Sequence, residues 1–177
     1  MVTLHTASTA ELTPSVVHGI RTLLDEAFDG AFTSDDWTHA CGGVHVWLDG
    51  PSGVVSHGAL VERTLVCAGH TLRAGYVEAV ATARVHRGQG HGTVVMQHIG
   101  DLIRGRHPIG ALSTGAHAFY EALGWERWRG PTSVDSPAGR QRTPNDDGGV
   151  MILRTPWTPA LEVSAEIVCD WRSGDVW

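Results

Sequence analysis

The sequence predicts an α+β fold, a mixed and mostly antiparallel sheet flanked by helices, and three observations carry that prediction. After a first strand come two helical stretches, extended segments separated by turn residues follow them, and a glycine-rich loop then leads into an amphipathic helix. The order is helices, an antiparallel meander of three strands, then a helix.

A first strand is expected around residues 2–7. Thr13-Pro14 forms a helix start with proline at the first helical position, and Val17, Ile20, Leu23, Leu24 and Phe28 share one face until Gly30 ends the run. Thr33 or Ser34 caps a short second helix through Trp37 to Ala40, closed by Gly42-Gly43. Residues 44–48 and 54–66 flank Asp49-Gly50-Pro51-Ser52-Gly53, whose turn chemistry predicts a hairpin. A turn at Ala68-Gly69-His70 returns the chain into a strand over 71–82.

The next helix presents Val95, Ile99, Leu102 and Ile103, widened by Val94, as its buried stripe. Gln97, His98, Asp101 and Arg104 make its polar side, and Gly105 with Pro108 stops it. A strand over 109–113, a helix over about 116–123 ended by Gly124, and a strand over 125–128 follow. Residues 130–149 turn to Pro, Ser, Thr, Asp and Gly and read as a long surface loop. Strands over 150–154 and 161–168 close the sheet. With neither internal repeat nor second domain evident, residues 1–177 are expected to form a single domain.

Composition narrows the function classes. The amino end is polar with no signal-peptide pattern, and no apolar run approaches a bilayer span, so a cytoplasmic protein without membrane partners is expected. Cys41, Cys67 and Cys169 have no C-x-x-C spacing and read as small buried hydrophobes. Eleven histidines include no H-E-x-x-H pair, so no metal is expected. A net charge of −6 argues against nucleic acid and suits a cationic partner. Acids cluster at Asp35-Asp36, Asp146-Asp147, Asp170 and Asp175, while Arg84 and Arg87 adjoin the glycine loop.

That loop, Arg87-Gly88-Gln89-Gly90-His91-Gly92, lies between a strand and a helix. Three glycines let the backbone turn sharply and aim free N–H groups at phosphate oxygens, beside the positive end of the helix. A P-loop needs lysine and this chain has none, so ATP and GTP are disfavoured. A plain strand-to-helix connection is the other reading of the same residues.

The spacing Arg87-x-x-Gly90-x-Gly92 resembles the acyl-CoA loop of the Gcn5-related N-acetyltransferases. Nearly the whole chain resembles one family among them, the aminoglycoside 2′-N-acetyltransferases. The matching residues include Ala27-Phe28, Phe32-Thr33, Asp36-Trp37, Gly75-Tyr76-Val77-Glu78 and Gly110-Ala111-Leu112-Ser113. Further matches are Tyr120 with Gly124-Trp125, Gly130-Pro131-Thr132-Ser133-Val134, Arg142-Thr143-Pro144, Asp146-Asp147-Gly148, Cys169-Asp170-Trp171-Arg172 and Gly174-Asp175-Val176-Trp177. Ala31 stands where that family pattern carries an acid, and the interval from Ser113 to Tyr120 is shorter than the pattern's.

The resemblance implies acetyl-CoA as cosubstrate, held by the backbone of Val80, Ala81 and Thr82 and by Arg87, Gly88, Gln89, Gly90, His91 and Gly92. It implies Glu78 as the base, Val80 N–H as the group that polarises the thioester carbonyl, and Tyr120 as the acid toward the leaving thiolate. Acceptor contacts fall to Asp36, Glu78, Ala79, Ser113, Asn145, Asp146, Asp175 and the carboxylate of Trp177. A homodimer conferring aminoglycoside resistance is the implied protein. Read without the resemblance, Glu78 is also an outward strand residue, Tyr120 a core tyrosine and the acids a solvated surface. Acetylation of another polyamine or a peptide amine, and non-catalytic binding of a cation, are the rival functions.

Overall fold

A computed structural model describes residues 1–177. The chain divides into two compact units, one of residues 1–61 with 77–99 and the other of residues 62–76 with 100–177.

The first unit begins with β1 (Thr3–Ser8), then α1 (Pro14–Ala27) and α2 (Ser34–Ala40). Thr13 caps α1 by accepting from Val16 N–H, proline occupies the first turn, and Gly30 follows with φ 77°. The apolar face of α1 buries Ile20, Leu23 and Leu24, each side chain stabilising by about 1.5–3 kcal/mol on leaving water. A capping box starts α2: Thr33 Oγ1 accepts from Asp36 N–H, and Asp36 Oδ2 accepts from Thr33 N–H at 2.7 Å and Oγ1–H at 2.8 Å. Gly43 follows, where a Cβ would stand 2.0 Å from Leu60 O, so only glycine fits.

Strand β2 (Val44–Gly50) pairs antiparallel with β1 and with β3 (Gly53–Cys67), the hairpin expected from Pro51-Ser52. Strand β4 (His70–Thr82) neighbours β3 and ends at the glycine loop, and α3 (His91–Arg106) follows it. Gly58 admits α3 against β3, since a Cβ there would lie 2.8 Å from Ile99 Cδ1. Val95, Met96, Ile99 and Ile103 are buried, but Val94 is 42% exposed, so it does not widen the stripe.

In the second unit the strand order is β6 (Glu126–Arg127), β9 (Val150–Arg154), β5 (Ile109–Ser113), β4, β3, β10 (Ile167–Asp170), β7 (Thr132–Ser136) and β8 (Gly139–Arg142). Here β5 (Ile109–Ser113) pairs parallel with β4 through Gly75↔Gly110 and Tyr76↔Ala111, and α4 (His117–Glu121) leads to β6 (Glu126–Arg127). Strand β9 (Val150–Arg154) pairs antiparallel with β5 and β6, and β10 (Ile167–Asp170) pairs antiparallel with β3 and parallel with β7. The sheet is mixed and mostly antiparallel.

Three expectations are corrected here. Residues 130–149 are not a surface loop: β7 (Thr132–Ser136) and β8 (Gly139–Arg142) form a hairpin. Their polar composition concealed it, yet Thr132 and Ser133 are fully buried because their hydroxyls have partners in Asp147, Thr143 and Glu166. The last strand covers Ile167–Asp170 rather than 161–168, its register set by Ile167 N–H donating to Pro131 O at 2.9 Å. The expected helix over 116–123 contracts to His117–Glu121 before Gly124 at φ 86°.

Candidate active site

In the first unit the carboxyl end of β4 carries a local break in strand geometry. Ala79 has φ 52°, a left-handed conformation that residues with a Cβ seldom take within a strand. Its carbonyl accepts from His57 Nδ1 at 2.9 Å. Ser56 Oγ donates to Ala81 O at 3.0 Å, and Arg87 Nε donates to Thr82 O at 3.2 Å. The carbonyls of three of the last four β4 residues are thus held by side chains. Glu78, Ala79 and Val80 are half-buried.

The loop beyond is open. Arg87, Gly88, Gln89 and Gly90 are exposed, and His91 and Gly92 half-buried. Gly88 at φ 73° and Gly90 at φ 81° supply the turns that residues with a Cβ resist. The first helical bond of α3 runs from Val94 N–H to Gly90 O at 3.0 Å, so the amides of His91, Gly92 and Thr93 head the helix without intrahelical carbonyls. With the Arg87 guanidinium, those amides and the dipole of a 16-residue helix suit a phosphate-bearing ligand. A neighbouring cleft of about 380 Å³ is lined by His18, Glu26, Val85 and His86 among others, and by none of the residues expected to hold the cofactor. Arg84 pairs with Asp29, and one oxygen of Asp36 is committed to the start of α2.

The second unit holds the remaining candidates. Ser113 is exposed at the end of β5, next to Gly149, whose N–H donates to Asp146 O at 2.9 Å. Burial, then the negative charges of Asp175 and Asp147, push the Asp146 carboxyl above the usual range against a lowering bond from Thr143. Trp177 is buried, with Nε1 donating to Thr143 Oγ1 at 3.0 Å and its N–H to Asp175 Oδ1 at 3.3 Å. Asp146, Asp175, Thr143 and Trp177 are therefore one neighbourhood, and exposed Asn145 stands on the same short turn as Asp146.

Asp147, adjacent in sequence, does something else. It accepts from Thr132 N–H at 2.8 Å and from Arg142 Nη2 at 2.8 Å, and these partners hold its carboxyl below the usual range. Tyr120 is buried against Phe119 and Trp125, and burial pushes its phenol up to about 12, so it keeps its proton at neutral pH.

Several residues of consequence had no sequence motif: His45, His57, Ser56, Arg63 and Thr143. For His45 the one available signal was a polar side chain between Val44 and Val46 on an expected strand, and His57, between Ser56 and Gly58, had none. In the structure no group of three or more His, Cys, Asp or Glu is placed to hold a metal ion, and no helix is long and apolar enough to cross a membrane.

A strand end broken by left-handed Ala79, a glycine loop and a helix amino end on an α+β scaffold suit an acyltransferase, and residues 9–128 match the family model for the acetyltransferase (GNAT) domain. The fold agrees. The chain superimposes with a TM-score of 0.66 at 13% identity on the GNAT family N-acetyltransferase YhbS from Escherichia coli, solved in complex with CoA, over 97% of this chain and 89% of that one. A GCN5-related N-acetyltransferase from Kribbella flavida gives a TM-score of 0.59 at 19% identity over 73% of this chain, which spans 35% of that longer protein. Among curated proteins, the aminoglycoside 2'-N-acetyltransferase of Mycolicibacterium fortuitum is 44% identical over 181 residues, covering 98% of this chain and 93% of the relative. The chain belongs to the GNAT acetyltransferases and, within them, to the family of that relative.

Proposed function

We propose that this protein transfers the acetyl group of acetyl-CoA to the 2′ amine of aminoglycosides by direct attack in a ternary complex, and so confers resistance to them. The 44% identity to the Mycolicibacterium relative over nearly the full length supports the activity. The observation that carries the acceptor class is the Asp146 and Asp175 neighbourhood: burial and then the charge of Asp175 raise the Asp146 carboxyl, and a multiply charged cation received there offsets both. Asp36, Ser113, Asn145, the Ala79 main chain and Trp177 complete the acceptor contacts in this reading.

The main chain of Val80, Ala81 and Thr82 and the loop from Arg87 to Gly92 bind the cosubstrate. Glu78 accepts a proton from the acceptor's ammonium through a water, because an amine without a lone pair cannot attack. Val80 N–H donates to the carbonyl oxygen as it gains charge. Tyr120 then returns a proton to the departing thiolate, a transfer its protonated state permits. We read residues 1–177 as one catalytic domain, a reading supported by the match to the Mycolicibacterium relative over 98% of this chain. The family resemblance further implies a homodimer, and the polar amino end favours a cytoplasmic one.

Steady-state acetyl transfer is measured with an aminoglycoside bearing a 2′ amine and with its 2′-hydroxyl counterpart. Turnover of the first alone supports the proposal, and turnover of both moves the site of transfer. Binding without turnover identifies a protein that sequesters cations. Glu78→Gln should lower kcat by about 10²-fold or more and shift the pH profile, and an unchanged profile removes Glu78 from the chemistry.

A further inference from the structure

We propose that His57 and His45 are positioning residues that aim the Val80 N–H by gripping the carbonyl of the same peptide. The inference rests on the proposed function, which gives that N–H the task of polarising the thioester.

The Ala79 carbonyl and the Val80 amide belong to one planar unit, and the chain has no cis peptide bond, so C=O and N–H point in opposite directions. Whatever holds Ala79 O therefore sets where Val80 N–H points. His57 Nδ1 holds it at 2.9 Å. The restraint matters because Ala79 sits at φ 52°, a conformation that a strand residue leaves unless something retains it. A hydrogen bond on the carbonyl also polarises the peptide and strengthens the opposite N–H as a donor.

The hydrogens are determined by partners at the two ends. A carbonyl only accepts, so His57 carries its hydrogen on Nδ1 and presents a lone pair at Nε2. His45 Nδ1 lies 3.0 Å from that lone pair and must donate. His45 Nε2 then accepts from Thr9 Oγ1–H at 3.0 Å, a closer acceptor for that hydroxyl than Gly43 O at 3.4 Å, and Thr9 Oγ1 receives Gly42 N–H at 3.0 Å. One directional chain, Gly42 to Thr9 to His45 to His57 to Ala79, satisfies every member with both rings neutral. Both histidines are fully buried. Burial lowers His57 to about 3, with His45 adding to the effect, and lowers His45 to about 4, in agreement with neutral rings.

The test is a pair of substitutions. Asparagine places its amide nitrogen where Nδ1 stands, whereas glutamine reaches toward the Nε2 position and abandons Ala79 O. His57→Asn keeps a donor on Ala79 O but leaves His45 Nδ1 without its acceptor, and should lose about fivefold in kcat. His57→Gln should lose about 10-fold to 100-fold in kcat, less than removal of an oxyanion donor outright, with KM for acetyl-CoA nearly unchanged. Equal losses in both variants, or a loss confined to KM, overturn the proposal while acetyl transfer by the parent stands.

Nitrogen-15 NMR of the unmutated protein at pH 7 provides a reading independent of turnover and of variant folding. Both rings should be the Nδ1–H tautomer, and an imidazolium or an Nε2–H ring at His57 refutes the chain. The Val80 amide proton should move upfield in His57→Gln and not in His57→Asn, whether or not any amine is acetylated. Failure of the parent to acetylate sinks the proposed function and leaves these measurements to decide the relay.

Discussion

Replacing Arg63 with alanine should loosen residues 170–177 and cost about 3–5 kcal/mol, the range for breaking a buried charged network. The side chain is 5% exposed on β3 and makes three bonds: Nε to Asp170 Oδ1 at 2.9 Å, Nη1 to Val176 O at 2.7 Å and Nη2 to Asp170 O at 2.6 Å. The Asp170 carboxylate is 46% exposed and rehydrates when abandoned, so that ion pair contributes about 1 kcal/mol or less. The two main-chain carbonyls are part-buried: Asp170 O costs about 1–3 kcal/mol on losing its guanidinium donor, and Val176 O costs less because Cys169 Sγ still donates to it at 3.3 Å. Arg63 Cζ also lies 4.9 Å from the centroid of the Tyr76 ring, a contact of about 0.5–2 kcal/mol.

Urea and thermal unfolding read the total. At about 2–4 °C per kcal/mol for a domain of this size, Tm should fall by about 10 °C. Asp170→Asn is the control, because it removes the charge, keeps the acceptor, and should cost about 1 kcal/mol or less. Equal losses in the two variants, or a loss below about 1 kcal/mol for Arg63→Ala, would show that the carbonyls do not carry the stability.

Gly130→Ala should prevent folding at 37 °C or cost more than about 3 kcal/mol, since its Cβ would stand 1.8 Å from Ala165 O; near-parental urea unfolding would refute that geometry. Asp147 titrates below the unfolded value of about 3.9, so its stabilisation is complete above that pH and disappears as pH falls through its depressed folded value. The stability difference between the parent and Asp147→Asn should accordingly be constant from pH 7 to 5 and shrink below about pH 4. A difference that is flat with pH removes Asp147 as a cause of acid sensitivity.

Helix starts, tight turns and the glycine loop were legible in the sequence because each depends on a few neighbouring residues. Thr13-Pro14 caps α1, Thr33 and Asp36 form a reciprocal cap, and Gly88 and Gly90 take the left-handed conformations their place before a helix requires. The mostly antiparallel α+β sheet followed from those punctuation marks. Glu78, Val80, Tyr120 and the acidic positions were reached through resemblance, since nothing in their spacing separates them from ordinary strand, core and surface residues.

Other features were decided only by residues distant in the chain. The polar run from 130 to 149 became a hairpin because β10 pairs with it and supplies a buried setting for Thr132 and Ser133. Asp146 and Asp147 are neighbours with opposite perturbations, one facing Asp175 and the other Thr132 and Arg142. His45 and His57 became a relay when the β2–β3 hairpin brought both rings together and His57 against Ala79 O. Backbone conformation answers to short-range sterics that a sequence displays directly, whereas charge, burial and hydrogen-bond direction answer to whatever the completed fold places alongside.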